Sequence, residues 1–183
     1  MTLLTMVELT REALPDAPDG ALVTRRGIGS SRYDLVLIAP TPGVAETVHR
    51  LAGLFRRAGH TVGEAVAGDD RAPRPDTTQL DDALCSVVVV PERERIGSQW
   101  FWWLWGRAEA VTRRQAMLPI STKDSAKPPA EFRPRIPSPL TAFPYLGRSR
   151  AVGEEVDSIW VAPAGAPTTT RDAVNLDFWI HER

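Results

Sequence analysis

The sequence predicts one three-layer α/β domain built on a mostly parallel sheet of five strands. Two short apolar runs carry this prediction, Tyr33–Ala39 and Ser86–Val90, each closed by proline and each typical of a strand buried on both faces. After each run the hydrophobic period changes to that of a helix. Because a crossover helix returns the chain to the same end of the sheet, strands that alternate with helices are expected to be parallel.

The first crossover helix is marked by a single apolar stripe. Its members are Val44, Val48, Leu51, Phe55 and Ala58. They lie three or four residues apart, which is the spacing of one face of an amphipathic helix. Gly59 follows the stripe and is well placed to end the helix.

The remaining predicted elements continue the alternation along residues 32–183, and residues 1–31 are expected to be a loosely ordered segment ahead of the domain. Prolines and glycines mark the loops, while period and β-branching separate helices from strands. In chain order these elements are strand 60–66, loop 67–76, helix 76–84 with Asp76 as its N-cap, strand 86–90, helix 97–114, strand 116–120, proline-rich crossing 121–147, strand 157–162 and helix 171–183.

Charge and composition argue against several classes of function. The chain has 22 Lys+Arg and 23 Asp+Glu, so no basic field is expected to attract nucleic acid or an acidic membrane. Neither a secretory leader nor a bilayer-length apolar run is recognised, which predicts a cytoplasmic protein. A single cysteine, Cys85, cannot form an internal disulfide and is interpreted as a small buried residue rather than a nucleophile.

Motifs for phosphate binding, metal binding and serine hydrolysis are absent. The segment Pro40-Thr-Pro-Gly43 follows the first strand, and it lacks both the spaced glycines and the Lys-Ser/Thr pair of phosphate loops. The histidines are scattered, so no metal site is predicted, and there is no Gly-x-Ser-x-Gly elbow. A standard Rossmann enzyme, NTPase or serine hydrolase is therefore not expected.

The most unusual segment is Trp100–Trp105, six consecutive aromatic or leucine residues on a predicted helix. These six residues span about one and a half helical turns, so their aromatic rings project on every side of the helix. On one interpretation two or three rings pack on the sheet and one covers the proline-rich crossing. On the other, outward rings among Trp102, Trp103 and Trp105 form a protein interface or line a ligand cleft.

Six landmarks follow one another through the first two thirds of the chain. They are Tyr33–Ile38, Phe55–Val62, an acidic Gly/Pro loop, Leu80–Val90, Ser98-Gln-Trp100 and Met117–Ile120. In order and spacing they resemble the landmarks of a bacterial TIR (Toll/interleukin-1 receptor-like) domain. The later segments Phe143–Leu146, Ile159–Val161 and Phe178–Ile180 are similar to the C-terminal strand and helix of such domains.

This resemblance implies a flavodoxin-like sheet of five parallel strands, with a loop after the second strand that is used in assembly. In catalytic members it also implies cleavage of NAD at the nicotinamide glycosidic bond. A glutamate four residues after the tryptophan of a Ser-x-Trp-x-x-x-Glu stretch holds the ribose there, and a carboxylate stabilises the oxocarbenium character that develops. This chain has Leu104 at that position. The next carboxylate, Glu109, points about 140° away from Leu104 around the helix.

Candidate site residues fall into three groups, and NAD is a candidate substrate or ligand rather than a bound cofactor. Glu109 is the candidate catalytic residue. The candidate pocket residues belong to the ends of the strands or to the aromatic helix, and they are Pro40, Thr41, Glu64, Glu92, Ser98, Trp100 and Leu104. The candidate interface residues are Asp69, Asp70, Trp102, Trp103 and Trp105.

The sequence favours a TIR-like signalling or antiviral defence module that acts through homotypic or heterotypic assembly, with weak or absent NAD cleavage. Leu104 and the prolines around Thr41 carry this interpretation, because catalytic relatives usually have a carboxylate at the first position and small polar and acidic residues near the second. An active NAD glycohydrolase that uses Glu109 or another carboxylate is the first alternative. A nucleotide-binding or structural α/β family that shares only the topology is the second.

Overall fold

The computed structural model describes residues 4–5, 31–92, 95–121, 137–149, 158–164 and 173–182. Within them one sheet lies between two layers of helices. The strands are β1 Leu4–Thr5, β2 Tyr33–Ala39, β3 Val62–Val66, β4 Ala83–Pro91, β5 Arg114–Ser121, β6 Tyr145–Ser149, β7 Ser158–Ala162 and β8 Val174–Asn175. The helices are α1 Ala45–Arg57, α2 Thr78–Asp81, α3 Gln99–Val111 and α4 Leu176–His181, with 3₁₀ turns at Pro42–Val44 and Ser138–Ala142.

The sheet has the order β3-β2-β4-β5-β6-β7-β8, and β1 pairs with β5 outside this path. Strands β2 to β5 are parallel to their neighbours, as the pairs Leu37↔Glu64 and Leu37↔Val87 illustrate. The hairpin β6–β7 and the pair β7–β8 are antiparallel. The predicted three-layer α/β class with a mostly parallel sheet is confirmed. Strands β1, β6 and β8 extend the sheet beyond the five strands expected.

Strand β2 shows why the sheet is covered on both sides. Leu35 and Leu37 belong to the core that contains α1 and α4. Val36 and Ile38 belong to the opposite core, which contains α3. All four are fully buried, and each buried aliphatic side chain of this size contributes about 1.5–3 kcal/mol.

Helix α1 forms as its stripe predicts. Val48, Leu51 and Phe55 are buried against the sheet. Gly59, just past the C-cap, has φ +97°. This left-handed conformation is one that glycine adopts without a steric cost, so it ends the helix where the sequence predicts.

The predicted C-terminal helix begins later than expected. Val174–Asn175 forms β8, and the helix itself is Leu176–His181, with the Asn175 side chain accepting a hydrogen bond from the Asp177 amide at 2.9 Å. Much of the predicted proline-rich crossing, at 122–136, and the predicted N-terminal segment apart from Leu4–Thr5 lie outside the described residues. Along the described residues, no helix combines the length and apolar character needed to cross a membrane.

Strand β3 forms one edge of the sheet, and side chains cover two of its backbone groups. The Gln79 Oε1 atom accepts a hydrogen bond from the Glu64 amide at 2.6 Å. The Arg56 guanidinium donates to the Val62 carbonyl at 2.8 Å. These bonds occupy groups that an incoming strand would otherwise use.

The sheet splits between β5 and β6. The two strands pair at Met117 and Tyr145. Beyond this point β6 stays paired with β7, as far as the pair Ser149↔Ser158. Further along β5, Leu4 of β1 pairs with Ile120. Because Ile120 pairs with Pro91 of β4 on its other side, β1 must lie on the side where β6 has diverged.

Candidate functional site

The carboxyl ends of β2 and β4 define the position at which a sheet of this order binds ligands. The connection from β2 passes through α1 on one face of the sheet, and that from β4 passes through α3 on the other. Such a topological switch point leaves a crevice between the two strand ends. Pro40 and Thr41 follow β2, and Glu92 follows β4. We call these three residues the switch-point edge.

The chain turns sharply after β2. Pro40 is buried and Thr41 half-buried. The Thr41 carbonyl accepts a hydrogen bond from the Val44 amide at 3.1 Å, which closes the 3₁₀ turn that leads into α1. The Ala39 carbonyl accepts from Ala67 at 2.9 Å, so the ends of β2 and β3 are fixed to each other. The two prolines around Thr41 thus form a rigid turn.

Glu92 is the one charged residue that is buried among those the structure describes, at 7% exposure. Its backbone N–H donates to the Ile120 carbonyl at 3.0 Å and so continues the β4–β5 ladder by one residue. Glu92 lies at the carboxyl end of a central strand, where open α/β sheets bind ligands, so its position makes it a candidate for ligand binding.

The N-terminus of α3 is closed by the protein's own side chains. The Ser98 hydroxyl accepts a hydrogen bond from the Phe101 amide at 3.1 Å. The Asp70 carboxylate accepts from the Gln99 amide at 2.8 Å. Two N–H groups that a helix offers to an anion are therefore already used. Ser98, a candidate pocket residue, acts as the N-cap of α3.

Trp100 and Trp103 contact the loop 67–77 and attach it to the side of α3. The indole N–H of Trp100 donates to the Ala72 carbonyl at 2.9 Å. The rings of Trp100 and Trp103 meet edge to face at 6.1 Å, and the Arg74 guanidinium lies 4.2 Å from the Trp103 ring centre. This stacking is a cation–π contact. Both rings are half-buried, so the loop rather than solvent covers much of their surface.

The opposite face of α3 packs into the domain. Leu104 is fully buried, and Trp105 is buried with its ring 4.9 Å from that of Phe143 at 88°. The Trp102 ring meets that of Phe101 at 4.9 Å and is half-buried. These contacts agree with the interpretation in which the rings pack on the sheet and on the proline-rich crossing.

Glu109 lies away from the switch-point edge. Helix α3 begins at the carboxyl ends of the strands and runs back towards their amino ends. Arg107, two residues before Glu109, pairs with Asp81 at 2.9 Å just before β4 begins. Glu109 is exposed there, about 15 Å along the helix from Gln99. The structure therefore does not bring Glu109 together with Thr41 and Glu92.

Glu64 also lies apart from the switch-point edge. It is in the middle of β3, where its carboxylate contacts His49 Nδ1 at 3.2 Å and Arg56 Nη2 at 2.9 Å. Both partners belong to α1. Glu64 thus joins the edge strand to a helix by ion pairing.

The acidic residues of the loop 67–77 shape the loop itself. Asp69 accepts a hydrogen bond from the Arg71 amide at 2.9 Å, and Asp76 accepts one from the Thr78 amide at 2.9 Å. The Thr78 hydrogen bonds lower the pKa of Asp76. Asp69, Asp70 and Arg71 are all exposed, so the loop offers both signs of charge on a hydrogen-bonded backbone.

Cys85 does not contribute a reactive group. It is fully buried in the middle of the sheet, and burial raises the pKa of its thiol to about 12. Since the thiolate is the nucleophilic form, this thiol is inert near neutral pH. No group of three or more His, Cys, Asp and Glu side chains in the described part of the chain is placed to hold a metal ion.

Sequence reasoning identified the loop and the aromatic helix separately but missed their attachment. The bonds Asp70 to Gln99 and Trp100 to Ala72 join residues that are 29 and 28 positions apart. A local pattern carries no signal for such pairs, although an aspartate is a common capping residue.

Neither the protein-family models nor the curated proteins include a match to this chain. Its function is therefore inferred from its own fold and site.

Proposed function

We propose that this chain is a cytoplasmic TIR-like signalling or antiviral defence module that acts through protein–protein assembly, with weak or absent NAD cleavage. The placement of Leu104 carries the proposal. The TIR resemblance expects a ribose-binding carboxylate at this position, four residues after Trp100, but Leu104 is apolar and has 0% exposure. A side chain enclosed between helix and sheet neither supplies a charge nor reaches a ligand.

The position of Glu109 supports the same conclusion. It is the next carboxylate on α3, and it lies towards the amino ends of the strands. A carboxylate there cannot act on a nucleotide held at the switch-point edge, because catalysis requires contact with the reacting atoms. The helix on which the resemblance places catalysis therefore lacks a carboxylate in the catalytic position.

The loop 67–77 is the surface that we assign to assembly. Two hydrogen bonds and a cation–π contact attach it to α3. A loop that is already ordered loses less conformational entropy when it binds. Its exposed Asp69 and Arg71 suit a partner with complementary charges, which favours a protein over nucleic acid or an anionic membrane.

Sedimentation velocity of the purified protein over a range of concentrations tests the assembly function. We expect concentration-dependent association, which Arg71→Glu weakens about tenfold by reversing one charge of the surface. Arg113→Glu is the matched control, since Arg113 is also exposed but follows α3 at the other end of the helix. A chain that stays monomeric at every concentration, alone and with NAD, would contradict homotypic assembly through this loop.

A second candidate function, NAD glycohydrolysis through Glu92, is favoured by the burial of that carboxylate beside the central strand end. Nicotinamide release from NAD by concentrated protein separates the two functions. On the leading proposal release stays at the level of a protein-free control. Release that Glu92→Gln abolishes and Glu109→Gln preserves would instead establish Glu92 as the catalytic carboxylate.

A further inference from the structure

The slot between β5 and β6 already binds a strand. The slot is the gap beside Ile120–Ser121 of β5. Strand β6 no longer pairs with β5 there, because it has turned to pair with β7. Leu4–Thr5 fills this slot in parallel register, with Leu4 opposite Ile120 and Thr5 opposite Ser121. Main-chain hydrogen bonding of this kind is how sheet edges accept an added peptide strand.

The attachment of β1 is short and depends on the backbone ladder. Two residues are paired, so few hydrogen bonds hold the strand in place. A second copy of the chain offers the same edge and the same register. Exchange of an identical element between copies keeps these bonds, which makes it a low-cost route to association.

The connection between β1 and β2 is long enough for exchange. Residues 6–32 join Thr5 to Tyr33. At about 3.3 Å per residue, an extended chain of this length reaches on the order of 90 Å. That distance exceeds the size of a domain of this length, so β1 can reach the slot of an adjoining copy.

We propose that β1 exchanges between copies, so that Leu4–Thr5 of one chain pairs with Ile120–Ser121 of another when the module assembles. This inference rests on the proposed assembly function and names its partner as a second copy of the same chain. Initial contact through the loop 67–77 raises the local concentration of the second β1, which favours pairing between chains.

The exchanged strand adjoins the switch-point edge. The Ile120 residue that pairs with Leu4 also accepts a hydrogen bond at its carbonyl from the Glu92 amide, at 3.0 Å. One residue of β5 therefore lies between the incoming strand and the buried carboxylate. The exchanged strand is therefore linked to the switch-point edge through the backbone of Ile120.

Disulfide trapping tests the exchange in the full-length chain. Adjacent strands lie about 4.8 Å apart, within the Cα range of a disulfide, so Thr5→Cys and Ser121→Cys report the pairing. The native Cys85 is buried and remains silent. A chain carrying Thr5→Cys is mixed with a longer, tagged chain carrying Ser121→Cys, and the mixture is oxidised. We expect a product of the summed mass, at least fivefold above the yield with a tagged Ser31→Cys chain, since Ser31 precedes β2 and is exposed at the other end of the sheet.

The outcomes separate the exchange from the assembly function. If the wild-type chain associates but the mixed variants give no more product than the Ser31→Cys control, the exchange is wrong while assembly stands. If the wild-type chain does not associate, the exchange and homotypic assembly are both wrong. A second measurement needs no cysteine variant: a peptide of residues 1–10 should weaken association of the wild-type chain about tenfold, and a scrambled peptide should leave it unchanged. An equal effect of both peptides would also overturn the exchange.

Discussion

The indole N–H of Trp100 donates a hydrogen bond to the carbonyl of Ala72 at 2.9 Å, joining the first turn of α3 to the loop 67–77. The bond lies beside the Asp70 carboxylate that caps the same helix. The helix and the loop therefore share their stabilising contacts, and a change in one is expected to alter the other.

Trp100→Phe is expected to loosen the loop. Phenylalanine keeps most of the ring but leaves the Ala72 carbonyl without its indole partner, which costs about 1 kcal/mol. Hydrogen exchange of the amides at 71–77 should become faster, with a small fall in melting temperature. Trp102→Phe is the control, because its ring contacts Phe101 instead; equal acceleration in both variants would contradict the prediction.

Leu104→Glu is expected to unfold the domain or to destabilise it by about 3–5 kcal/mol, because it places an unpaired carboxylate in a site with 0% exposure. Leu104→Met conserves volume and is expected to cost less than about 1.5 kcal/mol. Urea denaturation followed by circular dichroism measures both. A stable Leu104→Glu variant would show that this part of α3 is open to water.

The pair Asp81–Arg107 predicts a pH dependence. The hydrogen bond from Arg107 is the main cause of the lowered pKa of Asp81. A carboxyl group whose pKa is lower in the folded state stabilises the fold above its unfolded pKa, and the effect is lost as pH falls through the folded pKa. Because both side chains are more than a third exposed, solvent screening keeps this contribution small.

Arg107→Gln should raise the pKa of Asp81 towards its ordinary value, as followed by carboxyl NMR shifts during an acid titration. Arg113→Gln, the matched control, should leave it unchanged. An Asp81 pKa that is the same in wild type and Arg107→Gln would contradict the assignment of Arg107 as the main cause.

Cys85 is expected to resist alkylation. The folded protein at pH 8 should react with iodoacetamide at least a hundredfold more slowly than the same protein in guanidinium, because the thiol is buried and its pKa is raised to about 12. Mass spectrometry of timed samples measures the two rates. Rapid labelling without denaturant would mean that the centre of the sheet opens frequently.

Two glycine substitutions should have opposite effects. Gly59→Ala is expected to destabilise by about 1 kcal/mol, because Gly59 has φ +97°. Gly106→Ala is expected to stabilise by up to about 1 kcal/mol, since a Cβ at this position of α3 meets nothing within 4 Å. Thermal unfolding of both variants measures the difference, and the same sign for both would be inconsistent with this explanation.

Local patterns predicted the central elements of the fold because one physical cause dominates each of them. The Ser86–Val90 run contains four β-branched valines and is buried on both faces, and it forms the core of β4. Val48, Leu51 and Phe55, the stripe residues that lie within α1, are buried. In both cases burial and intrinsic preference favour the same element, so the sequence indicates it clearly.

The elements that local patterns missed depend on pairing with distant residues. Tyr145–Ser149 becomes β6 because it pairs with β7, although the surrounding prolines predict an irregular crossing. The sequence predicts β7 as a strand but does not predict that it is antiparallel, since that direction follows from its hairpin with β6. The candidate site divides in the same way: Ser98 was recognisable as a helix start, whereas the capping role of Asp70 arises from a contact across 29 positions.

Side chains cover two backbone groups on the outer edge of β3, so this edge of the sheet is less accessible to a further strand. Gln79 and Arg56 occupy backbone groups there, whereas the slot on β5 admits one short segment and is then filled. An incoming strand at the β3 edge therefore meets a Glu64 amide and a Val62 carbonyl that are already hydrogen-bonded, which hinders growth of the sheet from this side. Covering these groups disfavours edge-to-edge pairing between folded domains, which is a first step towards cross-β aggregation.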